Sequence, residues 1–130
     1  MKAKNVTPTI LVRLKGTGST RVYQPGDTIE GHVEITPETD INCRHIEIKI
    51  GWQTEGKGTR YESFPYVNMI NVTSVGPMNP LVEHFDFVIP SEPWSYSGFY
   101  VSIVWLVQVK IDIAMGRDYN HTANFVVQPT

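Results

Sequence analysis

Thirteen residues, 101 to 113, carry an apolar side chain at every second position, and this alternation constrains the fold more than any other feature of the chain. Side chains alternate between the two faces of a β-strand, whereas those of a helix return to one face every ~3.6 residues. The run therefore predicts a long strand with one buried face. The positions on that face are Val101, Ile103, Trp105, Val107, Val109, Ile111 and Ile113.

The same alternation recurs along the chain and indicates further strands. It is clear at residues 28 to 35, 45 to 52 and 84 to 90, and weaker at 8 to 14, 60 to 72 and 119 to 127. About seven strands without a helical segment predict an all-β fold, an immunoglobulin-like antiparallel β-sandwich. The turn signals between the strands are Gly16-Thr17-Gly18, Pro25-Gly26-Asp27, Gly56-Lys57-Gly58 and Met115-Gly116-Arg117.

Length and composition limit the classes of protein to consider. The 130 residues predict a single domain over residues 1 to 130, and 41% apolar with 18% charged residues is typical of a globular protein. A net charge of -2 without a cluster of Lys and Arg argues against nucleic acid as a partner. No apolar run has the length of a signal peptide or a bilayer span, so we expect a cytoplasmic protein without membrane insertion. The lone Cys43 excludes an internal disulfide and fits a reducing compartment.

Three motifs resemble the N-terminal domain of the arrestin-like family. "VYQPGDTIEGHVEI" is similar to its Y-x-P-G-[DE]-x-[IV]-x-G-x-V signature, and "HIEIKIGW" is similar to its I-x-V-x-L-x-G strand. "FDFVIPSEPWSYSGFYVSIVWLVQV" resembles the closing pattern, in which F-x-F-x-[IL]-P precedes P-x-S, a glycine and I-x-Y-x-[LV]-x-[VA], with Trp105 in place of the usual tyrosine. The matched positions include Tyr23, Pro25, Gly26, Asp27, Ile29, Gly31, Val33, Gly51, Phe85, Phe87, Ile89, Pro90, Pro93, Ser95, Gly98, Ile103, Val107 and Val109.

The resemblance implies both a fold and a kind of function. It implies an arrestin-like β-sandwich that serves as a cytosolic adaptor or scaffold, binding other proteins such as cargo or receptor tails in protein transport or regulation. In that family the N-terminal domain packs against a second, similar sandwich, so a second arrestin-like domain or a homodimer is an alternative partner. The phosphate sensors of the signalling members have no counterpart that can be placed in this chain, so phosphate-triggered activation is not implied.

The residue types that support catalysis are not spaced for it. None of the four histidines has a metal-ligand spacing, and His32 and His84 fall at outward strand positions. Cys43 is adjacent to Arg44 and His45, but neighbouring residues on a strand point to opposite faces. We therefore expect a non-enzymatic protein with no catalytic residues, no cofactor and no metal.

Five apolar residues at outward positions form the candidate protein-interaction surface. Val104 and Leu106 lie on the outer face of the long strand, Leu11 on that of the first strand, and Val67 and Met69 on that of the strand within residues 60 to 72. Two interpretations remain: a loop, strand curvature or a β-bulge covers these side chains, or they mark a contact surface for another protein.

Four aromatic residues, Trp94, Tyr96, Phe99 and Tyr100, surround the turn before the long strand. The favoured interpretation is structural, with the aromatic side chains capping the open end of the sandwich. The alternative is a ligand loop in which Trp94, Tyr96 and Tyr100 stack on sugar rings, which makes the domain a carbohydrate-binding β-sandwich.

Overall fold

The computed structural model describes residues 7–15 and 21–129, and the regular structure of these residues is entirely β-strand. Seven strands have six or more residues, in the positions that the alternation predicts: β1 (Thr9–Leu14), β3 (Thr28–Thr36), β5 (His45–Gly56), β6 (Glu62–Ile70), β8 (Leu81–Val88), β10 (Val101–Asp112) and β11 (Tyr119–Val127). Four strands of two residues each were not predicted: β2 (Val22–Tyr23), β4 (Ile41–Asn42), β7 (Ser74–Val75) and β9 (Tyr96–Ser97). The predicted turn at residues 16 to 18 lies outside the described residues.

Two sheets pack around one core and form a β-sandwich. The larger sheet has the order β2-β11-β10-β5-β6, with β9 also paired to β10, and the smaller sheet has the order β1-β3-β8. Strands β4 and β7 form a separate two-stranded sheet. Paired strands are antiparallel except β2, which runs parallel to β11. The predicted antiparallel sandwich is therefore confirmed, with one short parallel pairing.

The long strand predicted first is the centre of the larger sheet. β10 pairs with β5 along its whole length, from Val101 opposite Gly56 to Asp112 opposite His45. On its other side it pairs with β11 and, near its start, with β9. This position between two long strands explains why a continuous apolar face is needed there, since that face covers the middle of the core.

Trp105 is the largest fully buried side chain in the core, with 0% of its surface exposed. Its ring lies near those of Phe87 and Phe125, with centroids at 6.3 and 5.8 Å. The indole N–H donates to the Pro93 carbonyl over 3.0 Å, so the polar atom of the ring is satisfied inside the sandwich. Burying a side chain of this size stabilises the fold by roughly 1.5 to 3 kcal/mol.

The Pro25-Gly26-Asp27 turn has the geometry that its residues predict. Gly26 has a φ of 91°, which a residue without a side chain adopts at little cost. The Asp27 N–H donates to the Gln24 carbonyl over 3.0 Å, and the Asp27 carboxylate accepts from the Gln24 N–H over 2.8 Å. The Gly26 N–H also donates to the Ile89 carbonyl over 2.8 Å, so the turn fixes the entry of β3 against the end of β8.

Gly31 makes room for the aromatic ring of Phe85, which lies directly opposite it on β8. A β-carbon at Gly31 would lie 2.9 Å from Cζ of Phe85 and would also collide with the Arg13 carbonyl. Pairing between β3 and β8 determines this contact, and the sequence pattern does not reveal which strands are neighbours.

The terminal strands β6 and β8 of the two sheets approach each other at one side of the sandwich. The Tyr66 ring on β6 lies 6.5 Å from Phe85, and Asn68 donates to the Glu83 carboxylate over 3.4 Å. Glu83 lies opposite the buried Val33, so its side chain belongs to the inward face of β8. Burial raises the pKa of Tyr66, and nearby carboxylates including Glu83 raise it further. On this side of the core, β6 and β8 are therefore joined by a ring contact and a hydrogen bond.

Candidate functional site

The outer face of β6 carries the most exposed apolar side chains of the predicted surface. Val67 and Met69 leave 54% and 51% of their surface exposed. In the register they lie opposite Lys49 and Glu47 on β5, whose side-chain charges pair over 3.8 Å. Partly buried Phe64 is on the same strand, and the Lys49 ammonium lies 4.6 Å from its ring centroid. We refer to Phe64, Val67 and Met69 as the β6 face.

Leu106 corrects one expectation about this surface. It lies on the outer face of β10, yet only 1% of its surface is exposed. Its partner across the sheet is Gly51, where the β5–β6 register shifts at a β-bulge between Ile50 and Trp52. A β-carbon built on Gly51 would lie 2.8 Å from Cδ1 of Phe64, so the Phe64 ring occupies the space that the glycine leaves, next to Leu106. For Leu106 the interpretation that a β-bulge covers the side chain therefore holds, and its place on a contact surface is wrong.

The five predicted residues do not form one surface. Val104 is partly buried on the outer face of β10, opposite Gln53, and so lies on the same sheet face as Val67 and Met69. Leu11 is 40% exposed but belongs to β1 of the smaller sheet, where it lies opposite Glu34. The two sheets present opposite outer faces, so Leu11 is on the other side of the molecule.

The four aromatic side chains before β10 do not cap the sandwich. Trp94, Tyr96, Phe99 and Tyr100 expose 48%, 61%, 94% and 63% of their surface, so the favoured structural interpretation of their side chains is wrong. Hydrogen bonds of Ser95 attach this loop to the end of β11. Ser95 Oγ accepts from the Val127 N–H over 2.9 Å, and the Ser95 N–H donates to the Val127 carbonyl over 2.8 Å.

Sequence reasoning did not place basic residues beside these aromatic rings. Because Gly56 at the end of β5 lies opposite Val101 at the start of β10, the β5–β6 hairpin and the turn before β10 are adjacent. The Lys57 N–H donates to the Tyr100 carbonyl over 3.0 Å, and Arg60 borders the same cavity of about 400 Å³ as Lys57 and Val101. The predicted hairpin turn at residues 56 to 58 is present, and only the pairing of β5 with β10 reveals its neighbour.

A charged cluster covers the outer face of the smaller sheet. His32 lies opposite His84, with ring centroids 5.4 Å apart, and its Nε2 is 2.6 Å from the Glu34 carboxylate. Hydrogen bonds from His32 and then from Arg13 hold the pKa of Glu34 below its ordinary value. A cavity of about 710 Å³ borders on these histidines. Among the described residues, no group of three or more His, Cys, Asp or Glu side chains is placed to hold a metal ion.

Cys43 is a structural residue in this arrangement. It is buried, and its thiol donates to the Val72 carbonyl over 3.3 Å. Burial raises the pKa of the Cys43 thiol, and the Asp112 carboxylate raises it further. The adjacent Arg44 is engaged elsewhere, because its guanidinium contacts the Asp112 carboxylate over 2.7 Å. Arg44 therefore does not activate the thiol.

Comparison with solved structures shows an arrestin-like β-sandwich fold, as the sequence motifs predicted. A solved structure with a similar fold is that of Spo0M, the sporulation control protein from Bacillus subtilis, at a TM-score of 0.70 and 16% sequence identity. The match covers 96% of this chain and 51% of the Spo0M chain, so this chain spans about half the length of that structure. At this identity the likeness shows the fold alone.

No family model and no curated protein matches the sequence. Within residues 7–15 and 21–129, no helix has the length and apolar character that crossing a bilayer requires.

Proposed function

We propose that this domain is a non-enzymatic protein-interaction module, an adaptor or scaffold of the arrestin-like type that acts in trafficking or regulation. The observation that carries the proposal is the β6 face, where Val67 and Met69 are about half exposed on the last strand of the larger sheet. Within the described chain, no other strand pairs with the far edge of β6. An apolar outer face beside a free backbone edge offers a partner both side-chain contact and hydrogen bonds.

The expected partner is a protein segment that adds to β6 as an extended strand, such as a cargo or receptor tail. Pro65 has no N–H to donate, so pairing would run along residues 66 to 70. Alternate side chains of the added strand would lie against Val67 and Met69. A second copy of the chain or a second arrestin-like domain could add a strand to β6 in the same way, and the experiment below distinguishes a second copy from other partners.

A non-enzymatic role agrees with how the ionisable groups are used. The lowered pKa of Glu34 arises from His32 and Arg13, and that of Asp112 arises first from its hydrogen bond with Arg44. Both carboxylates are held in ion pairs, Glu34 with Arg13 on the neighbouring strand and Asp112 with Arg44 just before β5. The pKa of the Cys43 thiol is raised, which is the reverse of what nucleophilic attack needs.

The test is affinity capture from a lysate of the source cells with immobilised wild-type domain and a Val67→Asp, Met69→Asp variant. We expect partners to bind the wild type and to be lost from the variant, because two carboxylates replace the apolar contact. Sedimentation velocity of the same two proteins distinguishes a homodimer, which would dissociate in the variant.

A matched control is available on the opposite face of the molecule. Val82 and Val88 on β8 are 54% and 61% exposed, so a Val82→Asp, Val88→Asp variant makes the same chemical change elsewhere. Such surface substitutions change stability by about 0.5 kcal/mol or less each, which thermal melts verify. If wild type, variant and control capture the same proteins, the β6 face is not the interaction surface and the proposal fails.

A further inference from the structure

Two neighbouring hairpins form one tip of the sandwich. The turn between β9 and β10 carries Phe99 and Tyr100, and the turn between β5 and β6 carries Lys57 and Arg60. The pairing of β10 with β5 and the hydrogen bond from the Lys57 N–H to the Tyr100 carbonyl hold the two turns side by side. We refer to Phe99, Tyr100, Lys57 and Arg60 as the aromatic tip.

The aromatic side chains of the tip protrude into solvent. Phe99 is 94% exposed. Among the described residues its only ring neighbour is Tyr100, with ring centroids 4.8 Å apart and an angle of 84° between the ring planes. Phe99 has no polar atom in its side chain to justify this exposure, whereas Tyr100 has an apolar ring with a polar end. Side chains of this kind are enriched at the level of lipid headgroups, where one end is apolar and the other is wet.

Positive charge accompanies these rings. The Lys57 ammonium lies 5.9 Å from the Tyr100 ring centroid, and Arg60 is exposed on the same hairpin. Lys57 and Arg60 border a cavity of about 400 Å³. Glu55 borders that cavity as well, and its carboxylate accepts from the Gln53 side chain over 3.2 Å, back along β5. Lys57 and Arg60 lie in the turn itself, whereas Glu55 lies within β5.

We propose that the aromatic tip binds the surface of a bilayer that contains anionic phospholipids, with Phe99 and Tyr100 at headgroup depth and Lys57 and Arg60 against the lipid phosphates. Protruding apolar rings flanked by cations complement an interface that is apolar below and negatively charged above. Contact at this depth is peripheral and requires no segment that spans the membrane. It is also separate from the β6 face, so either proposal can fail without the other.

The test is cosedimentation of the domain with vesicles of equal parts phosphatidylserine and phosphatidylcholine, beside vesicles of phosphatidylcholine alone. We expect binding to the anionic vesicles at low salt and weaker binding at physiological salt, since screening reduces the electrostatic part. A Phe99→Ala, Tyr100→Ala variant is expected to lower the partition coefficient at least about tenfold. A Lys57→Gln, Arg60→Gln variant is expected to lower it about thirtyfold and to remove most of the salt dependence.

The control lies at the opposite end of β10, roughly 35 to 40 Å away along the strand. Met115 is 92% exposed there and Arg117 is exposed beside it, so a Met115→Ala, Arg117→Gln variant removes a comparable apolar group and a cation. This control is expected to bind vesicles like the wild type. A Phe99→Trp variant should keep its binding and show blue-shifted emission when anionic vesicles are added.

Several results would overturn the proposal. These are no binding to anionic vesicles at low salt, equal binding to neutral and anionic vesicles, or unchanged binding by the Phe99→Ala, Tyr100→Ala variant. A change in tryptophan emission on titration with polysaccharides, without vesicle binding, would replace the lipid proposal with the carbohydrate alternative.

Discussion

Gly51 provides a direct test of how the outer face of the larger sheet is packed. The Gly51→Ala substitution adds one β-carbon at the bulge, 2.6 Å from Cα of Phe64 and 2.8 Å from its Cδ1, and in collision with the Ser63 carbonyl. Two of these three atoms belong to the backbone of β6, so a side-chain rotation cannot relieve the contacts. Either the bulge opens or β6 moves away from β5, and in both cases the cover over Leu106 is disturbed.

The expected loss of stability follows from these contacts. Inserting a methyl group into closely packed structure costs about 1 to 3 kcal/mol. Unfolding entropy of about 2.1 cal/mol/K per residue gives about 270 cal/mol/K for the 130 residues of this chain. The Gly51→Ala variant should therefore melt about 4 to 11 °C below the wild type.

Urea and thermal unfolding, followed by tryptophan fluorescence to which the buried Trp105 contributes, measure this change. Ser63→Ala is the matched control, because Ser63 is exposed on the same stretch of β6 and is expected to change stability by about 0.5 kcal/mol or less. A loss below about 0.5 kcal/mol in the Gly51→Ala variant would show that β6 adapts freely, and the explanation for buried Leu106 would be refuted.

Three further predictions concern the core and its ion pairs. Trp105→Phe removes the hydrogen bond to Pro93 and some ring volume, so urea unfolding should show a loss of about 2 to 3 kcal/mol, and a loss below about 1 kcal/mol would contradict this packing. The Arg44 hydrogen bond lowers the pKa of folded Asp112, so the contribution of that pair is present above the ordinary aspartate pKa and is lost as the pH falls through the lowered value. Urea unfolding of Asp112→Asn should therefore differ from wild type near neutral pH and converge with it in acid, and an equal difference at both would refute the ion-pair explanation. Cys43 should react with a thiol reagent only as fast as the domain opens, and rapid reaction in the native state would contradict its burial and raised pKa.

The sequence was a good guide to the strands because alternation is local information. Each of the seven long strands contains a period-two segment, and the longest lies at the centre of the larger sheet. The short strands β2, β4, β7 and β9 have two residues each, which is too few for a period to appear. These short strands form only where another strand of the fold lies beside them to pair, as β11 does for β2.

The candidate surfaces were harder to predict because they depend on contacts between distant residues. The outward position of Leu106 follows from alternation, but its burial requires the bulge at Gly51 and the ring of Phe64. In the same way, Lys57 and Tyr100 are 43 positions apart in the sequence (100 − 57), and they meet only because β5 pairs with β10. No pattern within a single strand contains that information.

Glu83 and its contact with Asn68 have a consequence for how copies of this domain associate. Among residues 7–15 and 21–129, no strand pairs with the outer edge of β8. A strand that paired there would lie over an inward-facing carboxylate and would have to remove water from it, which is unfavourable. Of the two edges on this side of the sandwich, β6 therefore accepts a neighbour far more readily than β8. Two copies joined through β6 would each have used that edge, so growth on this side ends at a pair and does not continue into a filament.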